Sequence, residues 1–390
     1  MQHPPHLTTT KPWLLLSLFT LLVLVLGPAN AAVSVEKLPE LGLQPQAIAA
    51  PDGSVHLIYL VGEPGSADII YRRRRHDDTK WSQPLRVNSQ PGSAIAIGTI
   101  RGPQFALGRN SRVHVAWNGS QSAEPKPTGG GSPMLYASLN DDGKEFSVQK
   151  NLMTATHELD GGGSVAADAQ GRVFVVWHST LAESQGETNR AVFLAFSSDD
   201  GRSFDLERPV SPPGAGACGC CGLTAFANPR GDAFVVFRAA RSMMQRDMML
   251  LVSSDHGGSF RESFTHPWSV GMCPMSSASL AGADAGAWAA WETAGRIHFS
   301  RFSDKDWNPK PRTVGPLNGA KHPRLATNLR GEMLLVWTEG TGWQRGGALA
   351  WQLFDANGEP TAEKGRRDGI PVWSYATPFA RTNGDFVILH

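Results

Sequence analysis

One pattern of apolar and polar positions recurs along the chain. A turn containing Gly, Asn or Asp is followed by five or six mostly apolar residues, and the run ends in a large side chain. The copies end at Tyr59, Trp117, Trp177, Phe237, Trp291, Trp337 and His390, so successive ends lie 58, 60, 60, 54, 46 and 53 residues apart. A second apolar run precedes most copies, as at residues 103–107 and 164–167. A third follows, as at residues 134–138, 191–196 and 248–253, and leads through a turn into a fourth. Each unit of roughly 50 residues therefore predicts a four-stranded antiparallel sheet, and units repeated radially predict an all-β fold, a β-propeller. Six units are complete, the seventh has its first two strands, and residues 33–38 are available to complete it. The count points to seven blades, with six as the alternative.

The turns between third and fourth strands carry a motif. Residues 197–204 (SSDDGRSF) and 253–260 (SSDHGGSF) both read S-x-D-x-G-x-S-F, and residues 139–146 (LNDDGKEF) form a third copy without the serines. Residues 77–81, 304–307 and 355–358 are decayed versions. In such a turn the Asp side chain accepts hydrogen bonds from turn amides, the Gly supplies a positive φ, and the terminal aromatic packs between sheets. These segments resemble the Asp-box, or BNR, repeats of the sialidase (neuraminidase) superfamily. The motif speaks for the fold and not for an activity, because one scaffold hosts many functions.

Composition agrees with this reading. The chain has 42 Gly, 27 Pro and 12 Trp, which suits short strands and tight turns. Its 36 Lys and Arg balance 35 Asp and Glu, so no strong field attracts nucleic acid. The one basic run, residues 72–75, lies in a third strand whose alternate side chains point to opposite faces. Near the start, Lys11 precedes an apolar run over residues 13–26, broken by Gly27-Pro28 and followed by Ala29-Asn30-Ala31. This is the layout of a cleaved secretory signal, which gives a signal peptide over residues 1–31 and one propeller domain over 32–390, secreted or periplasmic, monomeric and without a membrane span.

Strand order assigns every loop to one of two propeller faces. The Asp-box turns share a face with the turns joining first and second strands. Loops after second strands, and loops leading into each next blade, share the other. On that second face fall Asn118, His178, Arg238, Glu292 and Glu339 at the ends of second strands, then Glu124, Glu187, Trp343 and Arg345 in the loops beyond. Arg101, Asp160, Cys218, Cys220, Cys221, Cys273, Lys321, His322, Trp373 and Tyr375 lie in loops between blades. Long loops at one end of a rigid scaffold are where binding and catalysis concentrate.

Three functions fit these residues. The superfamily resemblance implies a glycoside hydrolase, in which three arginines hold a substrate carboxylate and a tyrosine nucleophile is activated by a glutamate. Arg101-Gly102-Pro103 is similar to the family's R-x-P, Glu292 matches the glutamate, Arg345 a later arginine and Tyr375 the tyrosine. The middle arginine is met by Arg238, Arg241, Arg246 or Arg296, and Glu124 stands where the family's aspartic acid is expected. With these departures, true sialidase activity is not expected. A second reading is a copper(I)-binding or thiol-redox centre. Cys218, Cys220, Cys221 and Cys273 can meet near the axis with Met272, Met275 and His322, and thiolate and thioether ligands select copper(I). Its bland counterpart is structural disulfides, with Cys221–Cys273 as the expected bridge. The third is a non-catalytic binding module, in which Trp343, Trp373, Trp268 and arginine side chains form a stacking platform for a glycan or peptide; His178 and Glu339 are counted with the substrate-binding residues.

Overall fold

The computed structural model describes residues 1–2, 31–157, 159–181, 185–283 and 286–390. The apolar run read as an export signal lies outside them. Residues 31–390 form seven sheets in a ring, a seven-bladed β-propeller. Among the described residues the only helical pieces are two 3-10 turns, Arg109–Ser111 and Glu187–Asn189.

Six sheets contain four antiparallel strands in chain order, as in Thr224–Ala227, Ala233–Arg238, Met248–Ser253 and Arg261–His266. The sheet built on Val173–Leu181 carries an added strand, Thr156–His157. The seventh differs from its expected four strands. Thr377–Ala380 and Phe386–Leu389 pair antiparallel, and Val33–Glu36 joins Phe386–Leu389 in parallel, so both ends of the propeller share one blade. The Leu38 amide donates to the His390 carbonyl (3.1 Å), extending this closure.

The second strands are the apolar runs seen in the sequence. Val113–Asn118, Ala233–Arg238 and Gly286–Thr293 are buried at every position, because neighbouring blades cover both of their faces. Trp117, Trp177 and Trp291 end such runs, fully buried between blades. Burying each contributes a few kcal/mol, on the order of 25 cal/mol per Å². Their indole N–H groups donate to Ser93 O (3.3 Å), Thr156 Oγ1 (3.3 Å) and His266 Nδ1 (3.0 Å), so the same residues also tie down the adjoining segments.

The S-x-D-x-G-x-S-F turns are built as their sequence implies. Asp199 accepts from the amide (2.9 Å) and hydroxyl (2.6 Å) of Ser203, and the Gly201 amide donates to Ser197 Oγ (2.9 Å). Asp255 repeats the arrangement with Ser259 and Ser253.

Candidate functional site

The seven innermost strands line an axial channel of about 250 Å³. Loops leading into successive blades converge at one end. Gln44 knits three of them, its side-chain amide donating to Ala96 O (2.8 Å), Gly98 O (2.6 Å) and Trp373 O (3.1 Å). A Cβ at Gly162 would lie 2.1 Å from the Ile100 carbonyl oxygen, so only glycine lets these two loops meet.

Trp343 and Trp373 meet edge to face on this surface, their ring centroids 6.0 Å apart. They line a cleft with Thr99, Lys321, His322 and Arg345. Trp343 is 49% exposed. Its indole lies over Gly98, whose positive φ (+72°) places bare backbone beneath the ring. Among the described residues Arg345 has no ion pair, and Lys321 Nζ donates to the Pro274 carbonyl (3.2 Å). His322 is bonded through Nε2 to Thr99 Oγ1 (3.3 Å) and through Nδ1 to Ser277 Oγ (3.4 Å). Burial, with the charges of Lys321 and Arg324, pushes its pKa down to about 3, so it is neutral.

Glu292 lies at the end of its strand, buried. Its Oε1 accepts the Gly295 amide (2.6 Å), while Oε2 has no hydrogen-bond partner among the described residues. Burial raises its pKa against the opposing Gly295 bond and the charges of Lys321 and Arg238. His178 is equally buried, with Nε2 at 3.2 Å from the Cys221 carbonyl oxygen, and burial lowers its pKa to about 4.

Other expected site residues are engaged elsewhere. Arg238 was counted among substrate-binding arginines, but its guanidinium is enclosed. Nε donates to Ser276 Oγ (3.1 Å), Nη1 to Arg246 O (2.7 Å) and Nη2 to Thr293 Oγ1 (3.2 Å) and Glu292 O, with the Trp268 ring 4.8 Å away. Four of its five N–H donors are spent on the protein, and the side chain is 1% exposed. Arg101 is paired with Asp160, through the carbonyl (2.6 Å) and the carboxylate. Glu124 is exposed and caps its own loop by accepting from the Lys126 amide (2.9 Å). Glu339 accepts from Trp337 Nε1 (2.9 Å) and Arg366 Nε (3.2 Å), and Arg366 belongs to the outermost strand of that blade, Pro360–Ile370. Tyr375 is 1% exposed, lies under the Arg324 guanidinium (4.1 Å) and shares no hydrogen bond with Glu292.

The cysteines lie close together but pair differently from expectation. Cys220, not Cys221, is joined to Cys273, with Cα atoms 6.4 Å apart. Cys218 and Cys221 are free thiols, both buried. A turn closed by the Cys221 amide on the Cys218 carbonyl (3.2 Å) brings the sulfurs of Cys218, Cys220 and Cys221 within 4.8 Å of one another, close enough for a metal ion. Glu187 clamps this turn, accepting from the Gly219 amide (2.7 Å) and from Arg246 (2.7 Å). Burial pushes the Cys221 thiol up, but the Cys218 hydrogen bond, the Arg238 charge and the Ser276 hydroxyl outweigh it and bring it down to about 7. The Cys218 thiol is pushed up by its bond to Cys221 and by burial. The expected additional ligands do not gather there. Met272 is 72% exposed, Met275 lines the tryptophan cleft, and both His322 nitrogens are hydrogen-bonded. Met248 and Met249 belong to the blade core.

No protein-family model matches the chain, and no curated protein matches it in sequence. Solved structures match in fold. An α-L-arabinofuranosidase from Fusarium graminearum, in complex with an iminosugar inhibitor, is 11% identical with a TM-score of 0.52, over 85% of this chain and 99% of that one. An α-L-arabinanase from Penicillium chrysogenum, complexed with arabinobiose, is 12% identical with a TM-score of 0.50, over 84% and 98%. The NanB sialidase from Streptococcus pneumoniae is 11% identical with a TM-score of 0.44, over 92% and 67%. The chain thus shares its β-propeller fold with the arabinofuranosidase and the arabinanase. Likeness at this level is one of fold, and what the site does must be argued from its own residues. No helix among the described residues is long and apolar enough to cross a membrane.

Proposed function

We propose that this face binds a glycan carrying an acidic group. The observation that carries the reading is the cleft in which Trp343 and Trp373 stand beside Arg345 and Lys321. An exposed indole stacks on the apolar face of a sugar ring, and the two cations lie where a carboxylate or sulfate would extend from it. The neutral His322 adds a polar group to the cleft without adding charge to it. We read the protein as exported, on the strength of its N-terminal apolar run, so the glycan is met outside the cytoplasm. Binding is favoured over sialidase chemistry, since Arg238 is buried with four of its five donors spent on the protein and Tyr375 is enclosed without a hydrogen bond to Glu292.

Titration calorimetry with a uronyl or sialyl oligosaccharide and its uncharged counterpart tests this. Trp343→Ala should weaken both ligands about tenfold, the worth of about 1.4 kcal/mol of stacking. Arg345→Ala should weaken only the acidic one. Wild-type protein that binds neither ligand, or that binds as well after Trp343→Ala, would remove the reading.

A further inference from the structure

The cysteine cluster has no part in the glycan cleft, and its geometry carries a separate activity. The Cys218 sulfur is 3.4 Å from the Cys220 sulfur, at van der Waals contact with one end of the Cys220–Cys273 bridge. The other end, Cys273, is exposed, while both free thiols are buried. A nucleophile thus touches a disulfide whose leaving sulfur faces water. Cys218 and Cys221 stand at the two ends of a hydrogen-bonded turn in C-x-x-C spacing, the arrangement in which a local disulfide forms with little backbone movement. Ser276 Oγ donates to the Cys221 sulfur (3.4 Å), and the Arg238 guanidinium adds a fixed positive charge nearby. Ala240 packs with Cys218 and Cys221 and keeps that pair from solvent oxidants.

We propose that the four cysteines form a thiol–disulfide relay, in which the buried Cys218/Cys221 pair delivers its two electrons through Cys273 to an external protein disulfide. In the first step Cys218 loses its proton to water and attacks the Cys220 sulfur. The Cys218–Cys220 bond forms, the Cys220–Cys273 bond breaks, and Cys273 leaves as a thiolate that takes a proton from water. In the second, Cys221 loses its proton to water and attacks Cys218, forming Cys218–Cys221 and releasing Cys220 as a thiol. Two thiols and one disulfide are present before and after, so the rearrangement itself is redox-neutral. The Cys220/Cys273 dithiol, reached through the exposed Cys273, then reduces the external disulfide to two thiols and is itself re-formed as a bridge. The net change is oxidation of Cys218 and Cys221 and reduction of the partner. Exchange of this kind depends on contact and on access of the leaving sulfur, and both are present here.

The rearrangement also changes how the propeller is tied. Cys220–Cys273 joins the loops leading into two successive blades across 53 residues, whereas Cys218–Cys221 joins nothing beyond its own turn.

Folded protein purified from an oxidising compartment, incubated with iodoacetamide and then mapped without reduction, tests the relay. The starting material should show a Cys220–Cys273 linkage with Cys218 and Cys221 reduced. During incubation Cys273 should become alkylated as a Cys218–Cys221 linkage appears. Cys218→Ser should cut Cys273 labelling at least tenfold with an unchanged melting temperature. Cys221→Ser should instead stop after the first step, accumulating Cys218–Cys220 with alkylated Cys273, and it decides the matter should Cys218→Ser fail to fold. A Cys273 that is never labelled in the folded wild type, or is labelled equally in both variants, overturns the relay. So does protein that carries four reduced cysteines on a stoichiometric copper or zinc ion.

Discussion

The two faces of the propeller handle polar groups in opposite ways. On the face of the Ser-x-Asp-x-Gly turns, charges end on one another. Asp200, buried, is met by Arg112 Nε (2.8 Å) and Arg109 (3.4 Å), Arg73 reaches Asp52 (2.8 Å), and Asp141 is paired with Arg112. His114 Nε2 and Asp200 Oδ1, which lack hydrogen bonds, face each other at 3.5 Å. On the loop face, buried atoms at Asn118 Oδ1, His178 Nδ1, Glu292 Oε2, Trp373 Nε1 and Tyr375 OH have no partner among the described residues. A cleft of about 1640 Å³ opens on the first face, lined by turns of three blades that include Arg73, Arg112 and Asp200. The cleft on the second is far smaller. Size alone would choose the wrong one. Unspent hydrogen-bonding capacity in buried groups is the better guide, because it costs free energy that a scaffold without a ligand has no reason to retain.

The contrast can be broken first at Arg238. Arg238→Ala should destabilise by about 3–5 kcal/mol, since it leaves several buried acceptors without a donor. Asp255→Ala, which removes an exposed turn carboxylate, should cost about 1 kcal/mol. Urea midpoints of the two variants measure the difference, and equal losses would end the distinction between the faces.

A second test uses acid. The pKa of His178 is held at about 4 by burial, against about 6.5 in the unfolded chain. The unfolded state binds the extra proton first, so this histidine's contribution is complete above about pH 6.5 and is lost as pH falls toward 4, on the order of 3 kcal/mol. The turn face behaves differently. Hydrogen bonds from the Ser259 hydroxyl and amide and the Ser253 hydroxyl hold the Asp255 carboxyl well below the usual range. Its contribution is therefore present above about pH 4 and lost only as pH falls further. Stability followed from pH 7 to 4 should decline in the wild type and run flatter in His178→Gln.

The smallest effect is a gain. Burial raises the Glu292 pKa, so its contribution is intact below about pH 4 and is lost as pH rises through the folded value. Glu292→Gln should raise the melting temperature at pH 7 and leave it unchanged below pH 4. A lower melting temperature at pH 7 would show that this carboxylate is a structural anchor.

Most of the fold was legible in sequence because its signals are local. The run RVFVVW announces a strand covered on both faces, and SSDDGRSF announces its own turn. The site was legible only as a set of loops. Nothing near Arg101 points to Asp160 as its partner, and nothing near Gln44 shows that its amide binds carbonyls of residues 52, 54 and 329 positions away. The enclosure of Arg238 by Ser276 and Thr293 likewise arises only once two blades are packed. The choice of Cys220 over Cys221 turns on a backbone direction that adjacent identical residues cannot encode. Closure by residues 33–38 was visible, since the last unit was short by two strands, but its parallel sense was not.

That closure sets a timetable. Val33–Glu36 can find Phe386–Leu389 only after the whole intervening chain has been made. A contact spanning nearly the full sequence is entropically the slowest to form. Until it forms, the apolar sides of the end blades have no neighbour to cover them. Phe386–Leu389 thus act as a latch that falls shut on Val33–Glu36 only when the blades between them are in place.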